Sequence, residues 1–281
     1  MKILLTGATG LLGKRIINKL NPEHLVAGLT TSLQGVALLE SLQTKAYRGD
    51  ICDADFVQEM VADFQPDVII HQVTSLKKLN STDNATVREI GTKNLVEAAL
   101  ACQVPKIIAQ SISWAYEPGT SPATEETALD IHATLPRQTT IHGIEQLEAQ
   151  TKRLTNHVIL RYGALYGPDT WYDQTGYIYQ QFINQQATIS QGITNFLHID
   201  DAVDACLAAL TLPTGTYNIV DDEPASGTTW APYYAQQLGV QATPTYLPSA
   251  TWERAVSNQK YKDHGGQFTY PSWRQGMQSA D

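Results

Sequence analysis

Three glycines at every third position, in Thr6-Gly7-Ala8-Thr9-Gly10-Leu11-Leu12-Gly13, constrain the fold more than any other stretch of this 281-residue chain. The apolar run Ile3-Leu4-Leu5 leads in. Lys14-Arg15-Ile16-Ile17-Asn18-Lys19-Leu20 leads out, with Ile16, Ile17 and Leu20 at helical spacing. Strand, glycine turn and helix in that order form a phosphate-binding turn. One glycine permits the tight turn, one lets the backbone approach a pyrophosphate, and one lets the helix pack close to the strand. The helix N-terminus adds unpaired N–H groups and the positive end of its dipole. Gly7, Thr9, Gly10, Leu11, Leu12 and Gly13 are therefore expected to cradle a dinucleotide. The plainer alternative, a glycine turn without a ligand, does not account for flanks of this kind.

Composition narrows the class further. Hydrophobic residues make up 42% of the chain, enough for a core in one large domain or two closely joined ones. The 19 basic and 28 acidic residues leave a formal charge of −9, which argues against nucleic acid or an anionic membrane as partner. Cys52, Cys102 and Cys206 are far apart and odd in number, as expected of reduced thiols in a cytoplasmic protein. Met1-Lys2 and its brief apolar run are too short for a signal peptide, and no stretch would span a bilayer. None of the seven histidines stands in a metal-like HxxH or HxH pair. The expectation is a small-molecule partner and a monomer or homodimer.

Strands then alternate with helices, which argues for an α/β fold with a doubly wound parallel sheet. Leu25–Leu29 reads as a second strand ending at Thr30-Thr31-Ser32. An acid there would hold a ribose 2′-hydroxyl, and a basic residue would favour a 2′-phosphate. Neither is present, and the hydroxyls with Lys14 or Arg15 tilt the reading from NAD towards NADP, with Thr30 and Thr31 as contacts. A third strand, 46–51, ends in Gly49-Asp50-Ile51, which places Asp50 and Ile51 where adenine would lie; the alternative for such an acid is a helix N-terminal role. A helix follows over 53–64. The β-branched run 67–74 is a fourth strand, with His71 structural and Val73 and Thr74 at the cofactor end. A helix over 85–102, a strand over 106–110, a helix over 139–154 and a strand over 158–161 complete the pattern.

Beyond Gly167 the composition turns to Tyr and Gln, and a second, smaller lobe is expected. Residues 1–166 with about 196–212 form the nucleotide-binding domain in this reading. Residues 167–195 and 213–281 form the substrate lobe, where Trp171, Tyr172, Tyr177 and Tyr179 line the crevice or fill the core. The strand at 196–201 precedes a helix over 202–210, so Asp200 and Asp201 read as helix-start acids rather than a catalytic pair. Ser272-Trp273-Arg274 reads as a docking contact.

Taken in order, these motifs resemble the atypical or extended short-chain dehydrogenase/reductases of the NAD-dependent epimerase/dehydratase family. The resemblance rests on the glycine turn, Gly49-Asp50, Ile90-Gly91-Thr92-Lys93-Asn94-Leu95-Val96-Glu97-Ala98-Ala99, Leu160-Arg161-Tyr162-Gly163 through Tyr166-Gly167-Pro168, Phe196–Asp201 and Tyr217-Asn218-Ile219. It implies a Rossmann-type domain, a C-terminal substrate lobe and an NAD(P) cofactor. It also implies oxidoreductase, epimerase or dehydratase chemistry on a nucleotide-sugar-like or small carbonyl or hydroxyl substrate. That family uses a Tyr and a Lys four residues later, and none of the 13 tyrosines here has Lys at that spacing. In register, His142 stands at the Tyr position and Gln146 at the Lys position; Gln146 retains the ability to hydrogen-bond a ribose hydroxyl. Histidine is a common general acid or base, so His142 is a candidate for that role. Ser111 and Ser113 are candidates to polarise a substrate oxygen, Tyr116 is a candidate proton donor, and Arg88 replaces a frequent family Asn. The departures leave two readings: an enzyme with non-standard catalytic residues, or a catalytically inactive NAD(P)-binding redox sensor.

Overall fold

The computed structural model describes residues 1–21, 23–74, 81–241 and 243–277, with the backbone alone at Ser81. The end of the expected lobe, 278–281, and residue 242 lie outside the described residues. The chain divides into two compact units: Met1–Ser111, Leu129–Leu160 and Cys206–Thr216 in the first, and Ile112–Ala128, Arg161–Ala205 and Tyr217–Asp281 in the second.

A seven-stranded sheet organises the fold. Its strands include β1 (Lys2–Thr6), β2 (Leu25–Thr30), β3 (Lys45–Arg48), β4 (Val68–His71), β5 (Lys106–Ile112) and β6 (His157–Tyr162). Together with Gly215–Ile219 they lie in the order Gly215–Ile219, β6, β5, β4, β1, β2, β3. The pairs β1–β2, β1–β4, β2–β3 and β4–β5 are parallel. The reversal of strand order beside β1 is the switch point at which such sheets hold ligands outside their carboxyl ends. Ile3, Leu4, Ile69, Ile70, Ile107 and Ile108 are fully buried, as continuous apolar strands in a sheet covered on both faces must be.

Helix α1 (Leu11–Leu20) buries Leu12, Ile16, Ile17 and Leu20, the stripe that the sequence spacing predicts. Helix α2 (Leu33–Ser41) is capped by the Ser32 side chain, and α3 (Ala54–Phe64) by Asp53. The helix expected over 85–102 is interrupted: Ser81–Thr86 is α-helical, Val87–Gly91 is a π-helical turn, and Thr92–Ala101 is α-helical again.

In the second unit an aromatic core forms around Tyr166, Phe182, Phe196, Trp230, Tyr234 and Trp273, mostly in edge-to-face pairs. Tyr172 belongs to this core, stacking edge-on with Phe196, Trp230 and Tyr234, whereas Trp171 and Tyr177 are exposed. Two expectations are corrected here. The strand at Phe196 stops at His198 and the helix begins at Ile199. Asp201, in its first turn, accepts the backbone N–H groups of Thr269 (2.7 Å) and Tyr270 (2.9 Å) and so fastens the C-terminal segment. Trp273 is fully buried rather than a docking contact, and Arg274 Nε beside it binds Glu223 Oε1 at 2.6 Å.

Candidate cofactor and active site

The glycine turn is built from backbone alone. Gly7 adopts φ +75°, and a Cβ there would stand 2.6 Å from the Gln72 carbonyl oxygen. A Cβ on Gly13 would stand 2.3 Å from the Gly7 oxygen and 2.7 Å from Ala8 carbonyl carbon, so the helix approaches the turn only because that atom is missing. Gly10 donates to the Gly7 carbonyl at 2.9 Å and is the N-cap of α1. No side chain caps that helix and no acid sits in its first turn. Its leading N–H groups therefore remain available to an anion. The Leu12 side chain is buried in the core.

Beneath the turn, His71 bridges Thr6 Oγ1 (2.7 Å from Nδ1) and Thr92 Oγ1 (2.9 Å from Nε2). Burial first, then the nearby Arg88 charge, depresses its pKa to about 4, so the ring is a neutral structural bridge, as the sequence suggests. The Gly91-Thr92-Lys93-Asn94 motif now has a physical account. Gly91 lets the helix meet Ile51, Thr92 holds His71, and Asn94 Nδ2 donates to the Ile51 carbonyl at 3.1 Å. Asp50 is exposed and its Oδ1 accepts the Cys52 N–H at 2.9 Å, while the Ile51 side chain is buried. Val73 and Thr74 lie just beyond Gln72, which follows β4, and are half-buried.

At the end of β2 the three hydroxyls do not form one phosphate cup. Thr30 is buried, with Gly35 packed tightly on its Oγ1. Ser32 Oγ accepts the Gly35 N–H at 3.0 Å. Thr31 is left exposed with no partner among the described residues. Arg15 is turned to the Leu11 carbonyl at 3.3 Å. The sequence reading missed Arg48, which stands in register with Thr30 on the adjacent strand, exposed and without an ion pair among the described residues. Its position before Gly49-Asp50 was the available signal.

The Arg137–Thr151 helix carries the positions expected to be catalytic. The His142 side chain is 53% exposed, with Nε2 at 3.8 Å from Glu89 and Nδ1 at 3.9 Å from Glu145. Gln146 is half-buried, one turn further on. Buried Gly143 lets this helix press on Ala85, whose Cα would lie 3.0 Å from a Cβ there. Ser111 is fully buried and donates to Glu148 Oε1 at 2.7 Å. That bond turns its hydroxyl into the interior, which corrects its assignment to a substrate oxygen.

In the second unit, Tyr116 is 1% exposed and donates to Asn218 Oδ1 at 2.5 Å, with the Arg161 guanidinium 4.8 Å over its ring. Burial raises the phenol to about 12, despite Arg161, which is a correction to the proton-donor expectation: the group is sealed and holds its proton. Ser113 lines a cavity of about 240 Å³ with Trp114, Asn195, Trp252 and Glu253. The two indole rings there are 6.0 Å apart and tilted by 44°.

With the cradle in place, comparison with known proteins decides the family. The model of the NAD dependent epimerase/dehydratase family matches residues 3–219. The 3-diazoavenalumate denitrifying reductase of Streptomyces sp is 32% identical over 99% of both chains. The chain belongs to the NAD dependent epimerase/dehydratase family. Its fold matches the UDP-glucose 4-epimerase of Thermotoga maritima with TM-score 0.80, at 20% identity over 99% of this chain and 96% of that one. The UDP-glucuronic acid 4-epimerase of Bacillus cereus, solved with UDP-glucuronic acid and NAD, gives 0.78 at 23% identity, covering 99% and 97%. Membership makes this chain an enzyme of a nicotinamide-dinucleotide family, of oxidoreductase or epimerase/dehydratase type. No helix among the described residues is long and apolar enough to cross a membrane. The family cofactor fits the glycine turn, because the missing Cβ atoms let strand, turn and helix close tightly on one another and α1 keeps its leading N–H groups free of a side-chain cap.

Proposed function

We propose that the protein is an NADP(H)-dependent reductase of a small aromatic substrate whose reduction needs no proton relay. One observation carries this reading: the backbone cradle is intact while exposed His142 and neutral Gln146 occupy the phenol and lysine positions. When bound, the nicotinamide supplies a hydride. The residues proposed to hold the dinucleotide are Gly7, Thr9, Gly10, Leu11, Leu12 and Gly13 at the pyrophosphate, and Asp50 and Ile51 at the adenine. Val73, Thr74 and Gln146 serve the nicotinamide half. Thr31 and Arg48 serve the 2′-phosphate, since no acid stands in the first turn of α2 to repel it.

A carbonyl becomes an alkoxide on reduction and needs a proton from a nearby acid; an aryl diazonium carbon does not. Exchange of a diazonium group for hydrogen consumes one hydride and releases dinitrogen, leaving no oxyanion for a Tyr–Lys pair to protonate. The similarity to a denitrifying reductase over 99% of both chains supports this class.

The test follows NADPH consumption with a 3-diazo-4-hydroxyaryl carboxylic acid and with an aromatic aldehyde, and, in parallel, formation of the 4-epimer from UDP-glucose with NAD. Turnover with release of dinitrogen from the diazo acid is expected. Turnover confined to UDP-glucose overturns the reading in favour of sugar chemistry. NADPH binding without turnover on any of the three overturns it in favour of a redox sensor.

A further inference from the structure

Arg88 carries a positive charge into the protein with nothing among the described residues to answer it. It is 5% exposed, and no described residue accepts a hydrogen bond from it or forms an ion pair with it. A buried guanidinium in that condition is costly, because its lost hydration is returned only by a counter-charge or by several acceptors. Burial lowers its pKa to about 10, and no carboxylate raises it back. None of its nitrogens is among the fully enclosed, unpartnered atoms, so its charged end borders an opening rather than packed core.

Its location is specific. Arg88 lies in the π-helical turn Val87–Gly91, an irregularity that recurs where a helix presents functional side chains. Arg88 Cδ lies 3.6 Å from where a Cβ on Gly143 would stand, so it meets the Arg137–Thr151 helix between His142 and Gln146. Its charge is felt by His71, at the carboxyl end of β4. Against the family pattern, position 146 lacks a cation and position 88 carries one.

We propose that Arg88 is the anion-binding residue of the substrate site and that the substrate presents a carboxylate to it. The inference rests on the reductase reading above and gives its substrate class. The planar fork of a guanidinium matches two carboxylate oxygens, and in a site of this burial the pair forms charge-assisted bonds on both. A neutral amide of the same shape leaves the charge uncompensated.

Thermal unfolding of the full chain tests this, with and without saturating NADPH, in the presence of benzoate, 4-hydroxycinnamate, their primary amides, or inorganic phosphate. The expected result is that both carboxylates raise Tm in the wild type and both amides do not. Arg88→Gln abolishes the shift and weakens benzoate at least about tenfold, the scale of one lost charge-assisted contact. Arg88→Lys, which keeps the charge and loses the fork, retains part of it, and serves also if the Gln variant does not fold. Equal shifts from acids and amides, a shift from phosphate alone, or none from either carboxylate overturns the proposal. So does a loss in Arg88→Gln that falls on NADPH instead. Absence of any NADPH shift in the wild type would sink the cofactor reading, while the arms without NADPH still report on Arg88.

Discussion

Two stretches of the first unit meet the same expected ligand in opposite ways. From Gly7 to Gly13 recognition is made of backbone, and the side chains matter by being absent. From Thr140 to Glu148 recognition depends on which side chains stand on one helix face, and there His142 and Gln146 depart from the family pattern. A backbone site has few permitted solutions, because a Cβ under 3 Å from a carbonyl has no rotamer to relieve it. A side-chain site can lose one chemistry and keep its fold.

The harshest way to break this contrast is Gly13→Ala. The added methyl meets the Gly7 oxygen at 2.3 Å and Ala8 backbone at 2.7 Å, neither of which can move without opening the turn. NADPH affinity is expected to fall by about 100-fold, close to 3 kcal/mol, measured by calorimetry on protein of native circular dichroism. Retention of wild-type affinity would mean that the turn does not hold the pyrophosphate.

That contrast also explains what was legible in the chain. The glycines, the buried strands and the Asp53 cap follow from local pattern, so they stand where spacing places them. Asp201 stands at the helix start, as read, but its partners are not legible because they lie elsewhere in the chain, N–H groups 68 and 69 residues away, and the burial of Trp273 is likewise set by distant segments. Ser111 alternates correctly along β5, yet only the packed helix shows that its hydroxyl meets Glu148. Arg88 is visible as a replacement for Asn, but neither its burial nor the π-turn that carries it is written in residue type.

A pH titration sharpens the same division beneath the turn. The folded pKa of His71 is about 4 against 6.5 for the free side chain, so between these values the unfolded chain binds the extra proton. Its contribution to stability is complete above pH 6.5 and is lost as pH falls towards 4, by up to about 3 kcal/mol. Buried Asp221, raised by burial to about 8, acts with the opposite sign, since its ionisation above pH 4 favours unfolding. The difference between wild type and His71→Gln in urea at each pH isolates the ring. A difference that does not change with pH would remove its role as a neutral bridge.

A smaller effect is expected at the ribose end. Arg48→Glu places an acid in register with Thr30, and NADPH should weaken by about tenfold while NADH is unchanged or improved. Equal changes in both coenzymes would dissociate Arg48 from the 2′-phosphate.

The least change is expected at His142, and that is where the helix face can be judged most finely. Its ring is half in solvent, and the nearest carboxylates, at 3.8 and 3.9 Å, are themselves about half exposed, so they neither fix its orientation nor isolate it from water. A general acid or base contributes about 100- to 10,000-fold when it is positioned against the reacting group. His142→Ala should therefore lower kcat for the diazo acid by less than about threefold and leave the pH profile of kcat/KM unaltered. A loss on the general-acid scale, with disappearance of a limb near the pKa of histidine, would restore a proton relay to this helix. Replacing His142 and Gln146 together with Tyr and Lys completes the comparison. If the relay is what the helix lacks, the double variant should gain activity towards the aromatic aldehyde, because that substrate alone of the two generates an alkoxide. If it gains nothing, the obstacle lies in the Arg88 opening rather than in the missing pair.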